Sequence, residues 1–283
     1  MSGPRETTSA IASSVHDFDY ASAARLLTDA AARAGAAMMQ HYRRGPEVAF
    51  KADNSPVTAA DTESETIALA ALTALAPDIR VVSEEAGEDC THPLPARFFL
   101  VDPLDGTKEF IQQRSDFTLN VALIEEGRPV FGLVYAPARA LLAVTIANGR
   151  AIEAELAPSA YGADFTTLPQ RKLQVRAPNP AGLTALVSRS HLDPGTEAFL
   201  ATLKIAERTS AGSSVKFLEI ARGAADVYPR FAPTMEWDTA AGQAVLEAAG
   251  GEVVDIDGTP LRYGKTASAL RNPSFIAWGR RSE

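Results

Sequence analysis

The stretch Phe98-Phe99-Leu100-Val101-Asp102-Pro103-Leu104-Asp105-Gly106-Thr107 decides how this chain is read. Four consecutive apolar residues predict a short buried strand over Phe98–Asp102. Asp102 closes it, either at the lip of a sheet or buried at considerable cost. Pro103 cannot donate to a ladder and is expected to stop the strand. The turn then brings Asp105 back beside Asp102, with the Leu104 carbonyl between them. Two carboxylates and a carbonyl in one tight turn are hard oxygen ligands of the kind Mg²⁺ accepts. Gly106 and Thr107 follow, where the chain must approach something closely, and N–H groups exposed there suit a phosphate.

Taken alone, such a turn is common. Three further acidic segments fall at element boundaries in the same way. Pro56-Val57-Thr58-Ala59-Ala60-Asp61 opens a helix expected from Ala59 to Ala76 and stopped by Pro77. Ser83-Glu84-Glu85 ends an expected strand, Arg80–Ser83. Trp237-Asp238-Thr239-Ala240-Ala241-Gly242 leads into a helix over Thr239–Ala249 that Gly250-Gly251 closes. Carboxylates gathered at convergent strand ends repel one another, so their joint occurrence implies a cation.

Around these segments the pattern mixes helices and partly antiparallel strands. Ala24, Leu27, Ala31, Ala34 and Met38 recur at helical spacing within Tyr20–Tyr42. Leu119–Ile124 and Val130–Tyr135 flank a hairpin turn at Glu125–Arg128. Leu141–Ile146 and Arg150–Glu155 flank Asn148-Gly149, a type I′ turn signal. From Ala157 to Ala181 four prolines predict an irregular connection. Beyond it come a strand (Thr184–Ser188), helices (Gly195–Leu203, Ser213–Arg222) and strands at Ala225–Tyr228, Glu252–Ile256 and Phe275–Trp278. The fold class is layered α+β. Residues 1–17 read as a flexible polar tail without the apolar core of a signal peptide.

Composition narrows the function classes. Of 283 residues, 46% are hydrophobic and 22% charged, which excludes wholesale disorder and a disulfide scaffold. Lys and Arg total 27 against 35 acids, a net charge of -8, which argues against a nucleic-acid polymer as partner. The single cysteine, Cys90, cannot form an intrachain disulfide and fits a reducing cytoplasm. No uncharged run approaches the roughly 20 residues of a transmembrane segment. His16, His41 and His92 lack metal-ligand spacing, which argues against zinc. Lys51 reads first as a solvated lysine and second as a group that steadies metal-bound waters.

The ordered set PVTAAD, SEE, VDPLDGTKEF and WDTAAG resembles the inositol-monophosphatase superfamily of Mg²⁺-dependent, lithium-sensitive phosphomonoesterases, from about Phe18 to Gly279. Within it, Lys51–Thr58, Val187–His191, Gly212–Phe217 and Ala225–Phe231 resemble the CysQ branch, the 3′(2′),5′-bisphosphate nucleotidases. The resemblance implies a layered αβαβα sandwich, the sugar-phosphatase fold, with residues 18–283 forming a single catalytic domain. Its two intimate halves would be a metal and water half, about 18–156, and a substrate half, about 182–283. It implies Glu84, Asp102, the Leu104 carbonyl, Asp105 and Asp238 as ligands of two or three Mg²⁺ ions. Asp61 and Thr107 would orient and deprotonate the attacking water, with Glu84 counted among the catalytic groups and Glu85 supporting the ligands.

Asp105, Gly106, Thr107 and Asp238 would surround the phosphate that is cleaved. Lys216, Arg230 and Ser213 would hold the second phosphate of a compact double phosphate, with Ser214 as the alternative to Ser213, and His191 would contact base, ribose or phosphate. The expected reaction removes the 3′-phosphate of adenosine 3′,5′-bisphosphate, a role in sulfur metabolism, in the cytoplasm or peripherally at the inner membrane face. The alternatives are an inositol, histidinol or fructose-bisphosphate phosphatase of the same superfamily, and a non-catalytic metal- or phosphate-binding regulator. A regulator should have lost a ligand, and none of the six motif side chains is missing.

Overall fold

The computed structural model describes residues 18–51, 54–86, 92–188 and 193–281. Helix α1 (Tyr20–Arg44) starts where the Asp19 carboxylate accepts the Ser22 N–H at 3.0 Å, and it buries an alanine-rich stripe. A hairpin of β1 (Val48–Phe50) and β2 (Pro56–Thr58) leads directly into α2 (Ala59–Leu75). Next come β3 (Arg80–Ser83), β4 (Arg97–Asp105) and the single-turn α3 (Thr107–Ile111). The antiparallel run β5 (Thr118–Glu125), β6 (Arg128–Ala136), β7 (Leu141–Ala147), β8 (Arg150–Glu155) and β9 (Gln170–Lys172) follows. The second half contains β10 (Leu183–Ser188), α4 (Pro194–Leu200), β11 (Ile205–Ala211), α5 (Val215–Ala221), β12 (Val227–Arg230), α6 (Ala240–Ala248), β13 (Glu252–Asp255) and β14 (Phe275–Trp278).

Strands β3 to β9 lie side by side in chain order as a seven-stranded sheet, parallel only between β3 and β4. The five-stranded sheet has the order β11-β10-β12-β14-β13. Alternation along each strand sends side chains to opposite faces, so the large sheet feeds two cores. Phe99, Val101, Leu119 and Val121 pack on α1 and α2. Phe98, Leu100, Ala122 and Ile124 pack on α5, α6 and the inner face of the second sheet, where Tyr228 and Phe275 stand. Ala185, Val227 and Ile276 face the other way, toward Leu200 of α4. The layers therefore run α, β, α, β, α, the α+β sandwich expected.

Several boundaries differ from expectation. Strand β4 continues through Pro103 to Asp105 because the pairing with β5 skips from Asp102↔Asn120 to Asp105↔Thr118, and the proline falls in the skipped step. The type I′ signature of two left-handed residues occurs at Glu126 (φ 48°) and Gly127 (φ 72°). At Asn148-Gly149 only the glycine is left-handed (φ 66°), and an irregularity between Thr145 and Ala147 takes up the mismatch. The expected irregular segment contains β9, an exposed edge strand on β8. Strand β11 was not expected, because Glu207, Arg208, Thr209 and Ser210 are polar and exposed and leave no apolar alternation. The strand expected at Ala225 starts at Val227 and reaches Arg230.

Candidate metal centre and substrate cleft

The start of α2 is a capping box. The Thr58 N–H and hydroxyl both donate to Asp61 Oδ2, at 2.8 and 2.7 Å, while Ala60 N–H donates to Thr58 Oγ1 at 3.2 Å. One oxygen of Asp61 is thereby fixed and the other, Oδ1, accepts from Thr107 Oγ1 at 3.3 Å. Thr107 Oγ1 also lies 3.3 Å from the Leu104 carbonyl. Burial raises the Asp61 pKa, and the bonds from Thr58 only partly oppose it.

The turn at the end of β4 closes when Leu104 N–H donates to Asp102 Oδ1 at 3.0 Å. Gly106 then adopts φ 91°, a left-handed conformation that glycine enters freely. Asp105 is held from the second half: Ser213 Oγ and Ser214 N–H both donate to its Oδ2, at 2.6 and 2.8 Å. Asp238 does not cap α6. Thr239 takes the cap position, its hydroxyl making no bond to the helix N–H groups, while Asp238 Oδ2 accepts the Met235 N–H at 2.8 Å. Asn272 Nδ2 pins the same loop through the Met235 carbonyl at 2.7 Å and Thr239 Oγ1 at 2.9 Å.

These loops bring one oxygen each of Asp102, Asp105 and Asp238 within 4.8 Å of one another. Burial pushes the Asp102 carboxyl well above the ordinary carboxylate range, and the charges of Glu84, Asp105 and Asp238 push it further. Asp238 is raised well above that range by burial and then by Asp105. Three carboxylate oxygens set this close, with burial opposing the charge of Asp102 and Asp238, fit a hard divalent cation by both donor type and charge.

Glu84 lines the same cleft but is not part of the trio. Its Oε1 accepts from Lys51 Nζ at 2.9 Å, and Glu85 accepts from the same ammonium at 2.6 Å. Burial raises the Glu84 pKa against the pull of Lys51. Lys51 is thus ion-paired rather than solvated. Burial lowers its pKa, but the hydrogen bond to Glu85 and the charge of Glu84 outweigh that and hold it above its usual value.

The cleft has a volume of about 480 Å³. Glu84, Asp105, Gly106 and Thr107 line it from the first half of the chain, and Ser188, Ser213, Lys216, Tyr228, Arg230 and Asp238 from the second. Lys216 is buried on α5, with Nζ 5.0 Å from the centre of the Tyr228 ring. It donates to the carbonyls of Ser213 (2.8 Å) and Ala211 (3.3 Å). Arg230 is also buried, and donates to the carbonyls of Ala232 (3.1 Å) and Pro233 (3.3 Å). Both cations line the cleft and donate to backbone carbonyls. The Ser213 hydroxyl is engaged with Asp105, and Ser214 Oγ donates to the Asp238 carbonyl at 2.7 Å. His191 lies outside the described residues.

Sequence reading missed Thr118 and Asn120. Thr118 Oγ1 lies 2.6 Å from Ser213 Oγ, and Asn120 Nδ2 donates to Ser214 Oγ at 3.1 Å. The signal was present: two polar residues spaced i, i+2 in an otherwise apolar strand point one polar stripe toward the second half.

The fold and the acidic cleft define a class. Residues 19–279 match the family described as inositol monophosphatase family, and the chain belongs to it. Among its relatives, the 3′(2′),5′-bisphosphate nucleotidase CysQ of Escherichia coli (strain K12) is 43% identical over 249 residues, 87% of this chain and 95% of that protein. The CysQ of Shigella flexneri is 44% identical over the same shares. The crystal structure of CysQ from Bacteroides thetaiotaomicron, a bacterial member of the inositol monophosphatase family, superposes with a TM-score of 0.73 at 37% identity, covering 93% of this chain and 98% of that one. Among the described residues no helix is long and apolar enough to cross a membrane.

Proposed function

We propose that this chain is a Mg²⁺-dependent 3′(2′),5′-bisphosphate nucleotidase that removes the 3′-phosphate of adenosine 3′,5′-bisphosphate and leaves AMP. The observation that carries the reading is the meeting of Asp102, Asp105 and Asp238, drawn from both halves, where Asp105 and Asp238 line a cleft that also holds Lys216 and Arg230. Relatives named for this activity support the nucleotide over a simple polyol phosphate.

Asp102, Asp105 and Asp238 would hold Mg²⁺, with the Leu104 carbonyl and Glu84 completing the oxygen set. Bound there, Mg²⁺ supplies the positive charge that acidifies a water and offsets charge on the departing oxygen. The protein's part is orientation and proton transfer. Asp61, anchored by Thr58, turns the Thr107 hydroxyl so that its lone pair faces the cleft. Thr107 accepts a hydrogen bond from the attacking water, and the proton passes toward Asp61, whose burial makes it a stronger base than an exposed carboxylate. The N–H groups of Gly106 and Thr107 steady the phosphate that is cleaved. Lys216 and Arg230 hold the second phosphate, which is bound and not cleaved. Ser213 acts from the side, through Asp105, and we assign His191 to the nucleotide.

The test is phosphate release from adenosine 3′,5′-bisphosphate and from inositol 1-phosphate, each with and without Mg²⁺. Release from the bisphosphate that requires Mg²⁺ is expected. Preference for the inositol ester by about tenfold or more would overturn the nucleotide assignment.

A further inference from the structure

A buried carboxylate outside the cleft is aimed at the turn that holds Asp105. Asp116 lies just before β5, is 1% exposed and is absent from the cleft lining. Its Oδ2 accepts the N–H of Gly212 at 2.9 Å. Its Oδ1 accepts from Arg139 through Nε (2.9 Å) and Nη2, and from the Ser115 hydroxyl at 3.4 Å. Arg139 is braced in turn by Glu219 at 3.3 Å.

The backbone contacts are equally close. A Cβ on Gly212 would lie 2.8 Å from Asp116 Cβ and 2.9 Å from its carbonyl oxygen. A Cβ on Gly106 would lie 3.0 Å from that same carbonyl. Asp116 is therefore wedged between the turn that follows β4 and the turn that precedes α5.

The turn before α5 needs holding. Ser213 sits at φ 52°, a region that costs a residue other than glycine and persists only where the surroundings impose it. Three donors hang on this turn: Ser213 Oγ and Ser214 N–H on Asp105, and Ser214 Oγ on the Asp238 carbonyl. Gly212 is the residue immediately upstream, so movement there displaces all three together.

We infer that Asp116 is a positioning residue for the metal centre: by anchoring the Gly212 N–H it holds the Ser213-Ser214 turn and so fixes Asp105 against Asp238. This rests on the reading of the acidic trio as a Mg²⁺ site. Asp116 neither lines the cleft nor belongs to the acidic trio, and its effect is exerted on where two ligands stand.

The test is Mg²⁺ binding to the purified full chain by calorimetry, with the Mg²⁺ concentration for half-maximal phosphate release and the KM for adenosine 3′,5′-bisphosphate measured alongside. Asp116→Ala is expected to weaken Mg²⁺ binding about tenfold, the usual scale for groups that orient ligands, with KM at saturating Mg²⁺ within about twofold of the parent. Asp116→Asn keeps the volume and an acceptor oxygen but removes the charge from the bond to Gly212, and an effect of about threefold is expected. It is the variant that decides the matter if Asp116→Ala does not fold. Arg176→Gln is the stability control: it breaks a comparable pair, Arg176 with the buried Asp226 at 2.6 Å, away from the cleft. It should lower Tm and leave Mg²⁺ affinity unchanged. Parental Mg²⁺ affinity in Asp116→Ala, or in Asp116→Asn where the former does not fold, overturns the inference, as does equal weakening in Arg176→Gln. A parent that binds no Mg²⁺ refutes the underlying metal reading itself and this inference with it.

Discussion

Lys216 gives the sharpest test of the substrate assignment. Its ammonium is buried against the Tyr228 ring, and burial draws its pKa from the usual 10.5 down to about 8, against the upward pull of Asp105. In the free protein this lysine therefore loses its proton near pH 8, and kcat/KM for adenosine 3′,5′-bisphosphate should fall above that pH. Lys216→Met removes a charged contact worth about 1.5–3 kcal/mol, which is a loss of roughly tenfold to 150-fold on the bisphosphate. Adenosine 3′-monophosphate, which lacks the second phosphate, should be hydrolysed nearly as well by the variant as by the parent. The same lysine leaves a mark on stability. The unfolded chain keeps this proton up to 10.5, and the folded chain releases it near 8. Between those values the unfolded state binds more protons, so folding stability rises with pH, by about 3 kcal/mol from this group over the window. Urea unfolding of parent and variant from about pH 7.5 to about pH 10 isolates the term, because contributions of the other groups cancel in the difference. Parallel stability profiles, or an equal loss on the mono- and the bisphosphate, would refute the argument.

Asp238→Asn removes one of three crowded acids, and burial opposes its charge. The metal-free variant should melt higher than the parent while Mg²⁺-dependent phosphate release falls by several kcal/mol in transition-state stabilisation, about a hundredfold or more. Thr107→Val keeps the shape and removes the hydroxyl that Asp61 orients. In steady-state kinetics kcat should drop about a hundredfold with KM little changed. Glu236→Gln strikes the loop that carries Asp238: this fully buried carboxylate accepts the Gly264 and Lys265 N–H groups at 2.6 and 2.9 Å and pairs with Lys265 Nζ at 2.7 Å. Leaving that lysine partly unpaired should cost about 3 kcal/mol in urea unfolding.

What could be read in the chain is what local chemistry writes. The strand into Asp102 declares itself by four apolar residues, the turn after it by Gly106, and α2 by its acidic opening at Asp61 and the stop at Pro77. Each signal lies within a few residues and has its own physical cause. Strand β11 has no such signature. It is an edge strand with one parallel partner, β10, so most of its side chains meet solvent and the apolar alternation that marks a strand is absent. The supporting residues of the site were hidden for a different reason. The bond from Gly212 to Asp116 joins two residues in separate halves, and neither a glycine before two serines nor an aspartate after Arg114-Ser115 points to the other. Asn120 marks the boundary between the two cases. An amide between Leu119 and Val121, on the strand face that elsewhere carries Ala122 and Ile124, is a polar group set into a core. Burying it is unfavourable unless something across the interface needs its hydrogen bond, and here that is Ser214, one of the residues that hold Asp105. A misplaced polar residue on a core-facing stripe thus gives notice of a site wall before the facing wall is known, whereas the partner it meets can be found only once the two sheets are stacked.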